Sequence, residues 1–134
     1  MSAFLNNLNV ILLQDNASGG KWQLSSTLLY ASDIVDGLIT VPSGFITDFA
    51  SVPRLPVVYL LNGDTAHAAA VVHDYLYAAA YIPRNLADKI LYEAMRVTGV
   101  PLWRAGAMYA AVRLFGGQFY GRKKKPLNGE PEGL

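Results

Sequence analysis

The chain has 134 residues and a formal net charge of +1, and 52% of its residues are hydrophobic. A chain of this length supports one domain that buries roughly two thirds of its unfolded surface. The composition is too apolar for intrinsic disorder, and the small net charge excludes a general electrostatic attraction for nucleic acid. The sequence contains no cysteine, so disulfides and thiolate metal sites are excluded. The high apolar fraction indicates that part of the surface meets a partner, in an oligomer or an assembly.

Neither end of the chain nor its most apolar stretch indicates a membrane protein. Residues 1–16 contain neither a basic leader nor a long apolar run, so we expect no signal peptide. Residues 66–82 are the most apolar, but they include His67, His73 and Asp74, which would be costly to place in a bilayer. This stretch therefore predicts a buried helix and no transmembrane segment.

The first third of the chain predicts a small antiparallel β-meander. Three short apolar and β-branched runs alternate with turn signals. The runs are NVILL (9–13), WQLSSTLLY (22–30) and LITVP (38–42). The following segment, TDFASVPRLP (47–56), contains two prolines, which disfavour both a helix and a central strand, and predicts an ordered loop.

Three helices are predicted after this loop. The first is capped by Asp64 or Thr65 and ends before Pro83, and the second runs from Asn85 to about Thr98. The third starts near Pro101 and continues to about residue 116. The sequence thus predicts an α+β fold with an N-terminal antiparallel β-meander followed by three α-helices. We expect a single domain over residues 1–120 and a flexible tail over 121–134, first basic and then rich in Pro, Gly and Glu.

His73 and Asp74 are the unusual residues of the first predicted helix. The helix is apolar in nearly every direction, so it should be buried, and a buried imidazole or carboxylate needs a partner. Adjacent helical positions diverge by about 100°, so each of the two side chains needs its own partner. We expect both to be buried and to contact polar groups outside their helix. Asp48, Asp88 and Tyr77 are candidate partners.

Four segments resemble a family of small proteins of unknown function encoded by phages and prophages. They are TDFASVPR (47–54), AAVVHDYLY (69–77), ADKILYEAM (87–95) and AVRLFG (111–116). The resemblance covers about residues 22–116. It implies a phage or prophage gene but no particular activity.

HDYLY followed by ADKILYEAM is also similar to the two catalytic helices of small calcium-dependent secreted phospholipases of the prokaryotic type. This resemblance implies that His73 is a general base, that Asp88 orients its imidazole and that Tyr77 supports Asp88. It implies further that Asp74 is a calcium ligand, together with Asp48 and the carbonyl of Phe49 in the loop. The chain departs from these enzymes in having no disulfide and no glycine-rich calcium loop.

Simpler interpretations of the same residues remain open. His73 and Asp74 could form a structural polar cluster that fixes the TDFASVPR loop, with Arg54 or Arg84 as a further partner. Asp88 could belong to a capping box with Asn85. On the third helix, we expect Trp103, Met108, Tyr109 and Phe115 to belong to the core, and Arg104 and Arg113 to point to solvent or to another subunit.

Ser51 lacks the strand–turn–helix context of a catalytic serine, so the sequence does not favour a Ser-His-Asp triad. The basic run of residues 122–125 is typical of a solvated end, so no specific nucleic acid partner is expected.

We therefore predict a virion component, from the tail or baseplate region, that carries a His/Asp hydrolase-like centre. Its partners would be other phage structural proteins and its location the virion, or the host cytoplasm during assembly. One alternative is an active calcium-dependent esterase that acts on host envelope lipid. A second alternative is a purely structural phage adaptor.

Overall fold

The structure is a computed structural model that describes residues 1–14, 21–47 and 64–121. In these ranges the strands come first and the helices follow, which confirms the α+β prediction. The described strands are β1 (Ala3–Phe4), β2 (Val10–Gln14), β3 (Lys21–Leu24), β4 (Leu28–Ser32), β5 (Gly37–Val41) and β6 (Ile46–Thr47).

The strands form two antiparallel sheets, with strand orders β1-β4-β5 and β2-β3-β6. The run WQLSSTLLY, expected as one strand, bends at residues 25–27, so its first half is β3 of one sheet and its second half is β4 of the other. The β4–β5 hairpin closes through Asp36, which has a φ of 50°. Asp tolerates this left-handed conformation because its side chain is short and polar.

Three α-helices follow: α1 (Asp64–Ala79), α2 (Arg84–Val97) and α3 (Leu102–Phe115). Their bounds agree with the predicted helices to within two residues, and Pro83 and Pro101 immediately precede α2 and α3. Proline fixes φ at a helical value and needs no hydrogen bond there, so it suits a helix start. A short 3₁₀ turn, Gly116–Phe119, follows α3.

Helix α1 lies at the centre of the core. Nearly every described side chain from residue 68 to residue 78 is buried, as its all-round apolar sequence predicts. It packs against α2 and against β5 and β6, and α2 in turn packs against α3 and the β1-β4-β5 sheet. The sheet contributes its inward residues Leu28, Tyr30, Ile39 and Val41 to the same cluster. Each such side chain stabilises the fold by roughly 1.5–3 kcal/mol through burial.

The expected core role of the α3 residues is only partly correct. Met108 is fully buried and Tyr109 is partly buried, but Trp103 is 62% exposed and Phe115 is 59% exposed. The reason is that α3 packs against α2 through its buried residues, and Trp103 and Phe115 lie away from this contact. Helical spacing therefore identified an apolar helix but not which of its faces is covered.

None of the helices in the described ranges is long and apolar enough to cross a membrane. Residues 122–134, most of the predicted tail, lie outside the described ranges, as does the TDFASVPR loop beyond Thr47.

Candidate functional site

Helices α1 and α2 bring three of the predicted site residues together. His73 Nε2 lies 2.7 Å from Asp88 Oδ1, and the Tyr77 hydroxyl donates a 2.6 Å hydrogen bond to the same oxygen. His73 and Tyr77 are one turn apart on α1, so both side chains reach the same point on α2. The predicted contact between His73 and Asp88 is confirmed.

The second carboxylate oxygen of Asp88 faces two arginines. Arg113 of α3 donates a 2.9 Å hydrogen bond to Oδ2, and Arg84 Nε lies 3.9 Å from it. Arg84 also donates to the Tyr77 hydroxyl at 3.1 Å and to the backbone carbonyls of Val112 and Arg113. Asp88, which lies on α2, thus accepts hydrogen bonds from α1 and α3 and links all three helices. We call these five residues the Asp88 cluster: His73, Tyr77, Arg84, Asp88 and Arg113.

The charge state of the Asp88 cluster follows from these contacts. The side chains of His73 and Asp88 are both 0% exposed. Burial alone would raise the pKa of Asp88, but hydrogen bonds from His73, Tyr77 and Arg113 outweigh it and hold that pKa below the usual value. Burial, together with the hydrogen bond to Asp88, raises the pKa of Tyr77. Asp88 is therefore an ionised carboxylate, and Tyr77 remains a hydroxyl donor.

One simpler expectation for this cluster is wrong and another is only partly correct. Asp88 is not part of a capping box, because α2 begins after Pro83 without a side-chain cap and Asp88 points into the core. Arg113 was expected to face solvent or another subunit; its side chain is 37% exposed, but its Nη1 also donates a hydrogen bond to the buried carboxylate of Asp88. Nothing in the sequence signals this contact, since 25 residues separate the two positions along the chain.

Asp74 has its own partner, as predicted for adjacent helical positions. Its side chain is buried, and its Oδ2 accepts a 2.5 Å hydrogen bond from Thr47 Oγ1 at the end of β6. Thr47 is the first residue of the TDFASVPR segment. The contact agrees with the interpretation that Asp74 fixes the start of this loop to α1.

The predicted calcium site falls largely outside the described residues. Asp48 and the carbonyl of Phe49, two of its three ligands, lie there, as do Ser51 and Arg54. Within the described ranges, no group of three or more His, Cys, Asp or Glu residues could hold a metal ion. The proposed ligand that is described, Asp74, uses one oxygen to accept from Thr47. Calcium binding therefore stays a prediction.

A second carboxylate cluster, which the sequence did not reveal, surrounds Glu93 of α2. Glu93 Oε1 accepts hydrogen bonds of 2.8 Å from Tyr30 and from Ser32 of β4. Its Oε2 accepts from the Ser2 hydroxyl at 2.7 Å and from the Asp33 backbone amide at 3.2 Å. We call these five residues the Glu93 cluster. It attaches α2 to the β1-β4-β5 sheet.

Comparison with known proteins assigns a family but no activity. The family described as "Protein of unknown function (DUF1353)" matches residues 22–112. A protein of Sinorhizobium fredii (strain NBRC 101917 / NGR234), named "Uncharacterized protein y4jT", is 35% identical over 79 residues, which are 57% of this chain. The match spans only 23% of that protein's length. No solved structure matches the chain significantly.

Proposed function

We infer a function from the Asp88 cluster, on the premise that the chain belongs to the family described as "Protein of unknown function (DUF1353)". We propose a phage- or prophage-encoded virion component, of the tail or baseplate region, whose His73–Asp88 pair is a hydrolase-like centre. The observation that carries this proposal is the 2.7 Å contact between His73 Nε2 and Asp88 Oδ1. A carboxylate at one ring nitrogen orients an imidazole and stabilises the imidazolium that forms when the other nitrogen takes a proton.

The surroundings of Asp88 suit this role. The carboxylate is held by Tyr77 and Arg113, so its position beside His73 does not depend on the imidazole alone. Its lowered pKa keeps it ionised at neutral pH, so that it can accept a hydrogen bond from the Nε2–H group of His73. Among common side chains, imidazole is the one whose ordinary pKa suits a general base near neutral pH.

The proposed reaction is hydrolysis of an ester. His73 Nδ1 takes a proton from a water molecule while the water oxygen bonds to the acyl carbon. When the tetrahedral intermediate collapses, the bond between the acyl carbon and the alkoxy oxygen breaks, and His73 returns the proton to the leaving alcohol. The products are a carboxylic acid and an alcohol. No serine nucleophile is needed.

Calcium belongs to the more specific alternative, an active esterase or phospholipase-like enzyme that acts on host envelope lipid. A calcium ion would polarise the ester carbonyl, and Asp74 with Asp48 and Phe49 would hold it. Binding to such a site would stabilise the fold by about 2.7 kcal/mol at a hundredfold excess over Kd. We expect a calcium-dependent rise in Tm that is lost in Asp74→Asn. An unchanged wild-type Tm would remove calcium from the proposal.

Hydrolysis of a short-chain p-nitrophenyl ester, with and without calcium, tests the His73 base. His73→Asn keeps a hydrogen-bonding side chain but removes the base, so activity should fall by at least 10²-fold while the variant stays folded. The matched control is His67→Asn, the same change at the other histidine, which also lies on α1 and is partly exposed. Equal activity in wild type and His73→Asn would refute a hydrolytic role for His73.

A specific observation favours a second candidate, a structural phage adaptor without catalysis. The His73 and Asp88 side chains are completely buried, and Asp88 links all three helices. In this case His73→Asn should cost little stability. Asp74→Ala should cost about 1–3 kcal/mol, since it leaves the buried Thr47 hydroxyl without this acceptor. This candidate is supported if the wild type shows neither hydrolysis nor calcium binding and if Asp74→Ala strongly lowers the free energy of unfolding.

The virion assignment and its partners, other phage structural proteins, rest on the sequence resemblance. The host cytoplasm during assembly is the alternative location. Mass spectrometry of virions, purified by density gradient from an induced host, should detect this chain at a constant ratio to a tail protein. Its absence from virions, with presence in the lysate, would contradict the assignment.

A further inference from the structure

Helix α3 carries an exposed apolar face that the Asp88 cluster does not use. Four large side chains at its two ends project from the surface: Leu102 is 63% exposed, Trp103 62%, Leu114 74% and Phe115 59%. Together they present on the order of 500 Å² of apolar surface. Trp103 and Leu114 project on one side of the helix, and Leu102 and Phe115 lie about 100° to either side of them. We call the face formed by Trp103, Ala107, Ala110 and Leu114 the α3 stripe.

The α3 stripe lies opposite the buried side of the helix. Its four residues follow the spacing i, i+4, i+7, i+11, which keeps them within a narrow sector of a helix surface. All four are exposed, whereas Ala105, Met108, Ala111 and Val112, on the other side of the helix, are buried. The stripe is therefore a complete helix face and not a set of scattered side chains.

The order of residues along the α3 stripe is self-complementary. Read from either end, the stripe runs large, small, small, large. If a second copy packs antiparallel, with the two-fold axis between positions 108 and 109, Trp103 meets Leu114 of the second copy and Ala107 meets Ala110 of the second copy. Small residues at the centre let two helices approach closely, and large residues at the ends close the interface. We propose that the α3 stripe pairs with the α3 stripe of a second copy of this chain.

Gly106 supports this occupant independently. It lies in the middle of α3, where glycine destabilises a helix relative to alanine. A Cβ added there would meet no atom within 4 Å, so packing within one copy does not require a glycine. Close approach of another helix backbone does require a small residue at this position, since Gly106 and Ala110 are one turn apart beside the point where the two helices would cross.

The charges on α3 are compatible with antiparallel pairing. In this pair the two-fold axis is perpendicular to the plane that contains the two helices. Each flank of α3 therefore lies beside the same flank of the second copy, read in the opposite direction. As a result, Arg104 faces Phe115 of the second copy rather than another arginine. Arg104 already lies over the Trp103 ring, with its Cζ 5.4 Å from the centroid, and a second aromatic ring would extend this contact. On the other flank, the ion pair with Asp88 offsets the charge of Arg113.

The area that pairing would bury is compatible with a specific dimer. A standard interface buries about 800 Å² on each partner. Trp103 and Leu114 of the stripe supply part of this area, together with Phe115 where it faces Arg104 of the second copy, and Gly106, Ala107, Ala110 and the stem of Arg104 add to it. This self-association is independent of the proposed hydrolase-like centre.

Sedimentation velocity of the full chain tests the proposal. Wild type should sediment as a dimer of twice 14.5 kDa at tens of micromolar, and Ala110→Glu should shift it to monomer. The control is Leu38→Glu, which places the same charge at another exposed apolar position, on β5, and should leave the dimer intact. A monomeric wild type, or a dimer that Ala110→Glu does not weaken, would overturn the proposal.

A charge-pair rescue tests the antiparallel register. Leu114→Glu and Trp103→Lys should each be monomeric alone, and an equimolar mixture of the two should recover a heterodimer. In the mixture the two introduced charges meet at one end, and the native Trp103–Leu114 contact remains at the other. A mixture that stays monomeric would overturn the register.

Gly106→Ala provides a third measurement, because the two explanations of this glycine predict opposite results. If Gly106 serves close approach, the substitution weakens dimerisation several-fold while the variant stays folded. If it does not, helix α3 is stabilised and the dimer constant is unchanged, which would contradict its role in pairing.

Discussion

Helix α2 presents two carboxylates, Asp88 and Glu93, to two different regions of the molecule. Each accepts several hydrogen bonds, but from donors of different chemistry. Asp88 accepts from an imidazole, a phenol and a guanidinium, all on helices. Glu93 accepts from three hydroxyls and one backbone amide, which belong to β4 or to residues adjacent to β1 and β4. The Glu93 cluster fastens a sheet to a helix. The Asp88 cluster contains an imidazole, which the Glu93 cluster lacks.

Asp88 is completely buried, and its partners compensate its charge. Asp88 lies between His73 on one oxygen and Arg113 on the other, so its charge is compensated by a cation as well as by hydrogen bonds. A buried charge without compensation would be strongly destabilising. Glu93 has only neutral donors in the described residues, and it is only half-buried, so water shares in its solvation.

The largest expected difference between the two clusters is in the free energy of unfolding. Asp88→Ala removes the acceptor of three buried or half-buried donors, and should cost about 3–5 kcal/mol. Glu93→Ala removes the acceptor of neutral donors only and leaves no buried charge unpaired, so it should cost about 1–3 kcal/mol. Urea denaturation of both variants measures this difference. Equal losses of unfolding free energy in the two variants would contradict the idea that leaving the partners of Asp88 unpaired is the more costly change.

Much of this arrangement was predictable from the sequence, and the limits are instructive. The apolar surroundings of His73 and Asp74 predicted burial and separate partners, because an unpaired polar group in a core is costly. Pro83 correctly limited the end of α1, and Pro101 marked the start of α3. Arg113 and Glu93 could not be assigned, since both contacts join residues that are distant along the chain. The exposure of Trp103 was likewise not predictable, because spacing does not show which face of a helix is covered.

A smaller difference should appear in the acid dependence of stability. The folded-state pKa of Asp88 lies below its usual value of 3.8, so ionised Asp88 stabilises the fold above that pH. This contribution is lost as the pH falls through the folded-state pKa. The excess stability of wild type over Asp88→Asn should therefore be constant above about pH 5 and shrink below about pH 4. Denaturation curves from pH 7 to pH 2 measure it. An excess that grows on acidification would contradict an ionised Asp88.

The smallest expected effects come from removing one hydroxyl from each cluster. Tyr77→Phe should cost about 1–2 kcal/mol, because the Tyr77 hydroxyl both donates to Asp88 and accepts from Arg84. Tyr30→Phe removes one of four donors to Glu93 and should cost about 1 kcal/mol. Thermal unfolding of the two variants compares them directly. A larger loss for Tyr30→Phe would reverse the ranking of the two clusters.

The protonation of the His73 ring tests the central claim most directly. Because Asp88 is an ionised acceptor beside Nε2, the neutral ring should carry its proton on Nε2 and leave Nδ1 as the basic nitrogen. Long-range nitrogen-15 correlation spectra distinguish the two tautomers, and the chain has only two histidines, so His73→Asn identifies the signals. In the neutral ring we expect a protonated Nε2 and an unprotonated Nδ1. A proton on Nδ1, with Nε2 unprotonated, would contradict the proposed base.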